Sequence, residues 1–378
     1  MSVSDAAARA GAVLTIDLDA ILENWRRLTA RLKPGSRAGA VVKADAYGLG
    51  VAHVAPALAA AGCERFFVAT IDEAIALRRL IPDSDIFVFA GPFDRTESDF
   101  VGHRLIPVLN GAGQVARWAA AARTLGRRLP AALQLDTGLS RLGLAQGELR
   151  AFADDPGVRD AFDLVLAMSH LAVAEEPGHP LNRTQFDRFM AMRRLLPDVP
   201  ASLAASSGIF LGPDWHFDWV RPGAALYGVN PTPTEPNPMA QTVQLQGRIV
   251  QVRDIDAGEC VGYGATWRAP GPTRLIVVSA GYADGLPRSL SNHGGAFLGG
   301  NRVPLVGRVS MDLMVFDVGA LTEGTAREGG LVTLIGEGNT VDQVGAAAGT
   351  IGYEILTGLG RRYHRVWRGG DRGRDVSA

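Results

Sequence analysis

Between Ala38 and Val220, eight short apolar runs recur at intervals that each leave room for one helix: 38–42, 66–69, 86–89, 105–109, 131–135, 164–169, 201–204 and 217–220. Runs of that length with no polar alternation read as strands covered on both faces, which is the pattern of a parallel sheet. Parallel neighbours need crossover connections, and helical spacing fills most of the gaps, as in 51–61 and 71–80. Eight such units predict a closed (β/α)8 TIM-like barrel, an α/β fold, rather than an open doubly wound sheet. No Gly-x-Gly-x-x-Gly turn follows the first run, which counts against a dinucleotide-binding sheet. A helix with Ile21, Leu22, Trp25, Leu28 and Leu32 on one face precedes the barrel, with Asp19 as its expected cap. The pattern stops at 230–238, where Pro231, Pro233, Pro236 and Pro238 rule out helix and central strand alike. Beyond it the texture is β, with strands expected at 243–252, 275–279, 303–305, 313–318 and 331–335 and late helices at 341–347 and 353–359. The expected organisation is an N-terminal segment 1–12 that frays, a barrel over 13–237 and a mainly β domain over 238–378.

Composition narrows the function classes. A chain of 378 residues has room for two domains, and its net charge of −1 offers no general attraction to nucleic acid or to an anionic membrane. Its two cysteines, Cys63 and Cys260, stand far apart, which suggests neither a disulfide framework nor a zinc site and fits a reducing cytoplasm. No apolar stretch near the N-terminus has the length of a signal sequence or a membrane span.

In such a barrel the chemistry gathers where strands run out into the following loops. Lys43 stands at the end of the first run. An arbitrary strand-end lysine snorkels to solvent; one pointing into the fold is desolvated, its pKa falls, and the free amine becomes a nucleophile suited to imine formation. Four more strand ends carry reactive types: Asp136 to Gly143, Ser169-His170, Ser206-Ser207-Gly208, and Val220-Arg221-Pro222-Gly223-Ala224. Each alone is an ordinary turn, cap or satisfied polar residue. Together they surround one mouth.

The run Lys43-Ala44-Asp45-Ala46-Tyr47-Gly48 closely resembles the pyridoxal-phosphate lysine motif of alanine racemases. The resemblance extends over about 13–365 through Asp-Thr-Gly-x-x-Arg-x-Gly (136–143), Ser-His-Leu-Ala (169–172) and Val-Arg-Pro-Gly-x-x-Leu-Tyr-Gly (220–228). It continues through Gly262 to Trp267, Gly281 to Gly285, Gly307 to Asp312 and Ile351 to Glu354. Ornithine-decarboxylase-type barrels share the fold and the lysine but are organised differently.

The resemblance implies an isomerase that interconverts L- and D-alanine, with D-alanine destined for peptidoglycan. Lys43 would hold the cofactor aldehyde and serve as one acid/base; Tyr263 would be the other, contributed by the second subunit of a homodimer. Arg141 and His170 would supply part of the positive environment a phenol needs to act as a base. Arg221 would face the pyridine nitrogen. Tyr47, Ser206, the N–H groups of Gly223 and Ala224, and Tyr353 would cradle the phosphate, with His170 packed near the ring. Arg141 and the N–H of Met311 would take the substrate carboxylate; Tyr263, Tyr282 and Tyr353 would narrow the entrance, with Glu175, Arg288 and Arg308 as an outer layer. No metal is implied. Two positions depart from the family pattern: Gln134 replaces a lysine that many members modify to a carbamate, and Ala205 replaces an asparagine. A racemase of the same fold acting on serine or lysine is the enzymatic alternative, and a cofactor carrier the non-enzymatic one, although a carrier has no use for Tyr263 or a second domain.

Overall fold

The computed structural model describes residues 7–370 and 376–377. The fraying expected of the N-terminal segment lies outside the described residues for 1–6. From Ala7 the chain is tied down, because Arg248 donates to Ala7 O at 3.0 Å and to Ala10 O at 3.1 Å. The first strand, β1 (Ala12–Asp17), is one the apolar runs did not point to. It leads directly into the helix Leu18–Ala30, so the cap is Asp17 and not Asp19: Asp17 Oδ1 accepts from Ala20 N at 2.8 Å. Asp17 is itself still paired with Arg368 in the sheet, so no residue separates strand and helix. Asp19 falls in the first turn and accepts from Gly370 N at 2.9 Å.

The barrel then follows. The run read at 38–42 is two short strands, β2 (Arg37–Ala38) and β3 (Ala40–Val41), separated at Gly39. A Cβ there would lie 2.8 Å from Arg65 O, so the break occurs where only glycine allows the neighbouring strand so close. From β3 the sheet continues in chain order through β4 (Arg65–Val68), β5 (Asp85–Val88), β6 (Ile106–Leu109), β7 (Pro130–Gln134), β8 (Asp163–Met168) and β9 (Ala201–Ser202), all parallel. The circle closes through β10 (Trp219–Val220). It pairs with β2, while Arg221 N donates to Ala204 O at 2.9 Å and Val41 N to Pro222 O at 2.9 Å. Phe66, Phe67 and Phe87 are fully buried, and the rings of Phe67 and Phe87 stack with centroids 4.9 Å apart. Burial on this scale contributes roughly 1.5–3 kcal/mol per large apolar side chain.

The second sheet is built on β11 (Val243–Ile255), a long strand that shifts register between Ile249 and Gln251. A hairpin of β12 (Cys260–Val261) and β13 (Trp267–Arg268) carries the turn holding Tyr263. β14 (Thr273–Ser279) pairs with β11; β15 (Gly295–Leu298) and β16 (Asn301–Pro304) form a hairpin; β17 (Leu313–Asp317) pairs with β14, and β18 (Leu331–Ile335) with β11. After the helices Val341–Ala347 and Gly352–Gly358 comes β19 (His364–Arg368). β1 lies between β11, antiparallel, and β19, parallel. One continuous apolar core runs from the barrel into this sheet. No helix among the described residues is long and apolar enough to cross a membrane.

Candidate functional site

Lys43 follows β3 with only Val42 between them. After it the backbone makes a left-handed turn: Ala44, Asp45, Ala46 and Tyr47 have φ between +53° and +56°. L-residues pay roughly 1–2 kcal/mol each for this conformation, so the surroundings must hold it in place. Glu73 Oε1 accepts from Ala44 N at 2.7 Å, and Asp45 Oδ1 accepts from Val51 N at 2.7 Å. Burial lowers the pKa of Lys43, the Arg141 charge lowers it further, and Glu73 opposes both. The amine is thereby biased toward its free, nucleophilic form.

The turn buries the Tyr47 ring against Tyr227, centroids 4.8 Å apart, and 6.3 Å from Tyr353. Burial raises the Tyr47 phenol above its ordinary pKa, so it remains a hydrogen-bond donor. Its hydroxyl stands over Gly223, where a Cβ would come within 2.5 Å of Tyr47 Oη. Ser206 Oγ faces the same backbone, accepting from Gly223 N at 3.1 Å and Ala225 N at 3.2 Å. Two hydroxyls and the start of a short helical turn at Ala224–Tyr227 therefore converge, which suits an anion such as a phosphate.

Arg221 is buried. Its two terminal nitrogens donate to Ser202 Oγ and to Ser169 O, neutral acceptors, and burial brings its pKa down to about 9. It is still a cation at neutral pH, and it cannot take up a proton from a group it faces. His170 is neutral: burial, followed by the charges of Arg221, Arg141 and Lys43, takes its pKa down to about 3. Among the described residues no hydrogen bond joins Gln134 to Arg141. The Arg141 loop is shaped by Asp136 Oδ1, which accepts from Gly138 N at 2.9 Å and Ser140 N at 3.1 Å. It is anchored by Gln185, which donates to Thr137 Oγ1 at 3.3 Å and His170 O at 3.0 Å and accepts from Ala172 N at 2.8 Å. The sequence alone points to neither Gln185 nor Glu73. The available signal was a polar residue on a buried helical stripe, since Asn182, Gln185, Phe189 and Met192 share one face.

A second group lies apart. Tyr263 is 71% exposed on a turn flanked by Gly262 and Gly264, both at positive φ, with the Arg308 guanidinium 2.8 Å from where a Gly264 Cβ would be. Tyr282 N donates to Ser310 O and Ala283 N to Met311 O, both at 3.0 Å. Gly281 permits this approach, because a Cβ would lie 2.4 Å from both carbonyls. Arg288 is exposed on the next short turn. Thus Lys43, Tyr47, Arg141, His170, Ser206, Arg221, Gly223, Ala224 and Tyr353 border one mouth, with Glu175 acting electrostatically on Tyr353. Tyr263, Tyr282, Arg288, Arg308 and Met311 do not join them: among the described residues no hydrogen bond, ion pair or ring contact links a member of one group to the other.

An amine biased toward nucleophilicity, an anion cradle and a buried guanidinium fit an anionic aldehyde cofactor: the aldehyde, phosphate and ring nitrogen of pyridoxal phosphate each find a chemically matched neighbour. Fold and site together define the class of barrel enzymes that tether such a cofactor through a lysine. The alanine racemase N-terminal domain family matches residues 16–231, and the alanine racemase C-terminal domain family matches residues 242–367. Alanine racemase from Rhodospirillum rubrum is 52% identical over 362 residues, covering 96% of this chain and 97% of that protein. A catabolic alanine racemase from Mesorhizobium japonicum is 52% identical over 370 residues, with 97% and 96% covered. Among solved structures, alanine racemase from Bartonella henselae with covalently bound pyridoxal phosphate superposes with a TM-score of 0.91 at 39% identity, covering 95% of this chain and 100% of that one. The chain belongs to the alanine racemase family.

Proposed function

We propose that this chain interconverts L- and D-alanine with pyridoxal phosphate tethered to Lys43, in a site completed by Tyr263 of the partner subunit in a homodimer. When bound, the cofactor supplies an electron sink that makes the substrate Cα–H acidic. Inverting the carbon requires a proton to leave one face and arrive on the other, so two acid/bases must flank it. Lys43 Nζ, with its lowered pKa, holds or releases the proton on one side. The phenol of Tyr263 of the partner subunit does so on the other. Tyr47 Oη, Ser206 Oγ and the backbone at Gly223 and Ala224 would hold the phosphate, with Tyr353 beside them. His170 would lie near the ring. Arg221 would stand by the pyridine nitrogen, and because a guanidinium accepts no proton it would keep the electron sink weak and disfavour transamination. Arg141 and the Met311 N–H orient the substrate carboxylate. Tyr282 and Tyr353 leave room for a methyl group, and Glu175, Arg288 and Arg308 guard the approach.

The observation that carries this reading is the separation of the site residues into two groups. At the barrel mouth burial makes His170 a very weak base and holds the Tyr47 and Tyr353 phenols in their protonated form, which leaves Lys43 as the group with base character there, while Tyr263, Tyr282 and Met311 present apolar surface, 71%, 43% and 53% exposed. A two-fold arrangement of like chains would bring each group to the other.

Mixed dimers of Lys43→Ala and Tyr263→Phe test it. Each variant alone should be inactive, yet half of randomly mixed dimers would hold one intact site, restoring about a quarter of the wild-type rate. No recovery on mixing would place both bases in one chain and end the shared-site reading. Turnover of serine or lysine above alanine would shift the substrate. The name of the Mesorhizobium japonicum relative favours a second physiological role, alanine breakdown. We assign D-alanine supply to peptidoglycan in the cytoplasm; a deletion strain should then require D-alanine, and one that fails only to grow on alanine would support the catabolic role.

A further inference from the structure

The strained turn after Lys43 has two ties within the barrel, through Glu73 and Asp45. Its far end is held by another part of the chain. Arg365 Nη1 donates to Gly48 O, and its Nη2 donates to Leu359 O at 3.1 Å and Gly360 O at 3.2 Å. Trp367 Nε1 donates to Leu49 O at 2.7 Å. Both donors lie on β19, 317 and 318 residues from their acceptors. The Trp367 ring also packs against Gly50, where a Cβ would lie 2.8 Å from it, and stacks on His53 with centroids 3.9 Å apart. On the opposite side, a Cβ at Gly48 would be 2.6 Å from Leu356 O.

A left-handed turn offers its last carbonyls no helical ladder, so they must find donors elsewhere or remain unsatisfied. β19 provides both. A guanidinium suits the task because its two terminal nitrogens reach carbonyls at separate positions, whereas the three donors of an ammonium all diverge from one atom. Burial works against the Arg365 charge, and Asp45, itself in the turn, favours it. Arg365 and Trp367 alternate along the strand with Val366 between them, so their side chains share one face.

We propose that Arg365 and Trp367 are positioning residues for the cofactor lysine: by gripping Gly48 O and Leu49 O they hold the left-handed turn that sets Lys43 and Tyr47 at the barrel mouth. The second sheet then serves the site of its own chain as well as that of a partner. This rests on Lys43 being the tether for pyridoxal phosphate. Neither side chain touches the cofactor; each acts through the turn.

The variants are Arg365→Met, which keeps the stem and loses the fork; Arg365→Lys; and Trp367→Phe, which keeps the ring and loses the N–H. Val366→Ala, on the opposite face of β19, is the control for general weakening of the strand. Apo proteins are titrated with pyridoxal phosphate by visible absorbance. Hydrogen exchange is followed at Ala46, Leu49 and Gly50, whose amides bond within the turn at 2.9, 3.2 and 2.9 Å. Arg365→Met and Trp367→Phe should bind the cofactor about five- to tenfold more weakly, the scale of one lost hydrogen bond, and should exchange faster at those amides. Their kcat should fall while KM for alanine stays within about twofold. Arg365→Lys should recover part of the affinity. Val366→Ala should melt earlier with cofactor affinity unchanged. Wild-type affinity and exchange in both Arg365→Met and Trp367→Phe would overturn the proposal, as would an equal loss of affinity in Val366→Ala. Lys43→Ala separates the two readings: if it loses the visible band while the β19 variants behave as wild type, only this inference falls, and if it keeps the band, the tether assignment falls with it.

Discussion

At the scale of single residues, the mouth of the barrel gathers basic side chains around a neutral imidazole. Lys43, Arg141 and Arg221 all act on His170, and the imidazole responds by staying uncharged. This has a consequence for stability. The ordinary His pKa is 6.5 and the folded one is about 3. Above the ordinary value the imidazole is neutral in both folded and unfolded chains and contributes nothing to pH dependence. As the pH falls below it, the unfolded chain takes up a proton that the folded protein refuses, so stability declines until the folded group also titrates. One such group contributes a slope of at most about 1.4 kcal/mol per pH unit. His170→Gln removes that term. Urea midpoints for the variant between about pH 6 and 4 should fall less steeply than for wild type; parallel slopes would mean that the imidazole is already free to protonate in the folded protein.

The turn after Lys43 is the element in which local preference and tertiary demand conflict most. Four non-glycine residues in the left-handed region would not hold that shape alone. Ala44 is exposed and uses only its N–H, toward Glu73, so Ala44→Gly should relieve strain without removing a contact. The variant should unfold at higher denaturant by about 0.5–1 kcal/mol, the steric gain outweighing the entropy of glycine, with cofactor affinity retained. A lower midpoint would show the turn to be unstrained. Such elements also mark where the sequence ceases to be legible. The eight barrel strands could be read because burial on both faces leaves uninterrupted apolar runs, and Lys43 and Arg221 because they end such runs. β1 could not: its partners β11 and β19 lie more than two hundred residues away, and nothing local in Ala12–Asp17 points to them. The same distance hid the helix cap, because the long-range pairing of Ile16 with Val243 and of Asp17 with Arg368 is what ends the strand at Asp17 and makes it the cap in place of Asp19. The role of Gln185 is not legible in the sequence because a buried polar residue declares its purpose only once the loops it joins, at Thr137 and His170, are side by side.

On the scale of the molecule, the barrel is assembled from one contiguous stretch, β2 to β10, but the second sheet is not. β1 precedes the barrel in sequence yet lies between β11 and β19, with Val13 opposite Gln246 on one side and His364 on the other. Leu14 and Ile16 are fully buried there, each contributing roughly 2 kcal/mol of apolar burial. Without β1, both neighbouring strands would present unpaired backbone edges around an opened core, a state prone to aggregation rather than to independent folding. The segment 238–378 expressed alone should therefore lack a cooperative unfolding transition. The same segment with residues 7–20 joined ahead of it through a flexible linker should regain one, because the missing strand needs only to reach the gap and not to pass through the barrel. Cooperative unfolding of 238–378 by itself would show that β1 is an accessory strand. Failure of the linked form would show that the sheet also needs the barrel side of its interface, where Trp367 and Arg365 meet the turn after Lys43.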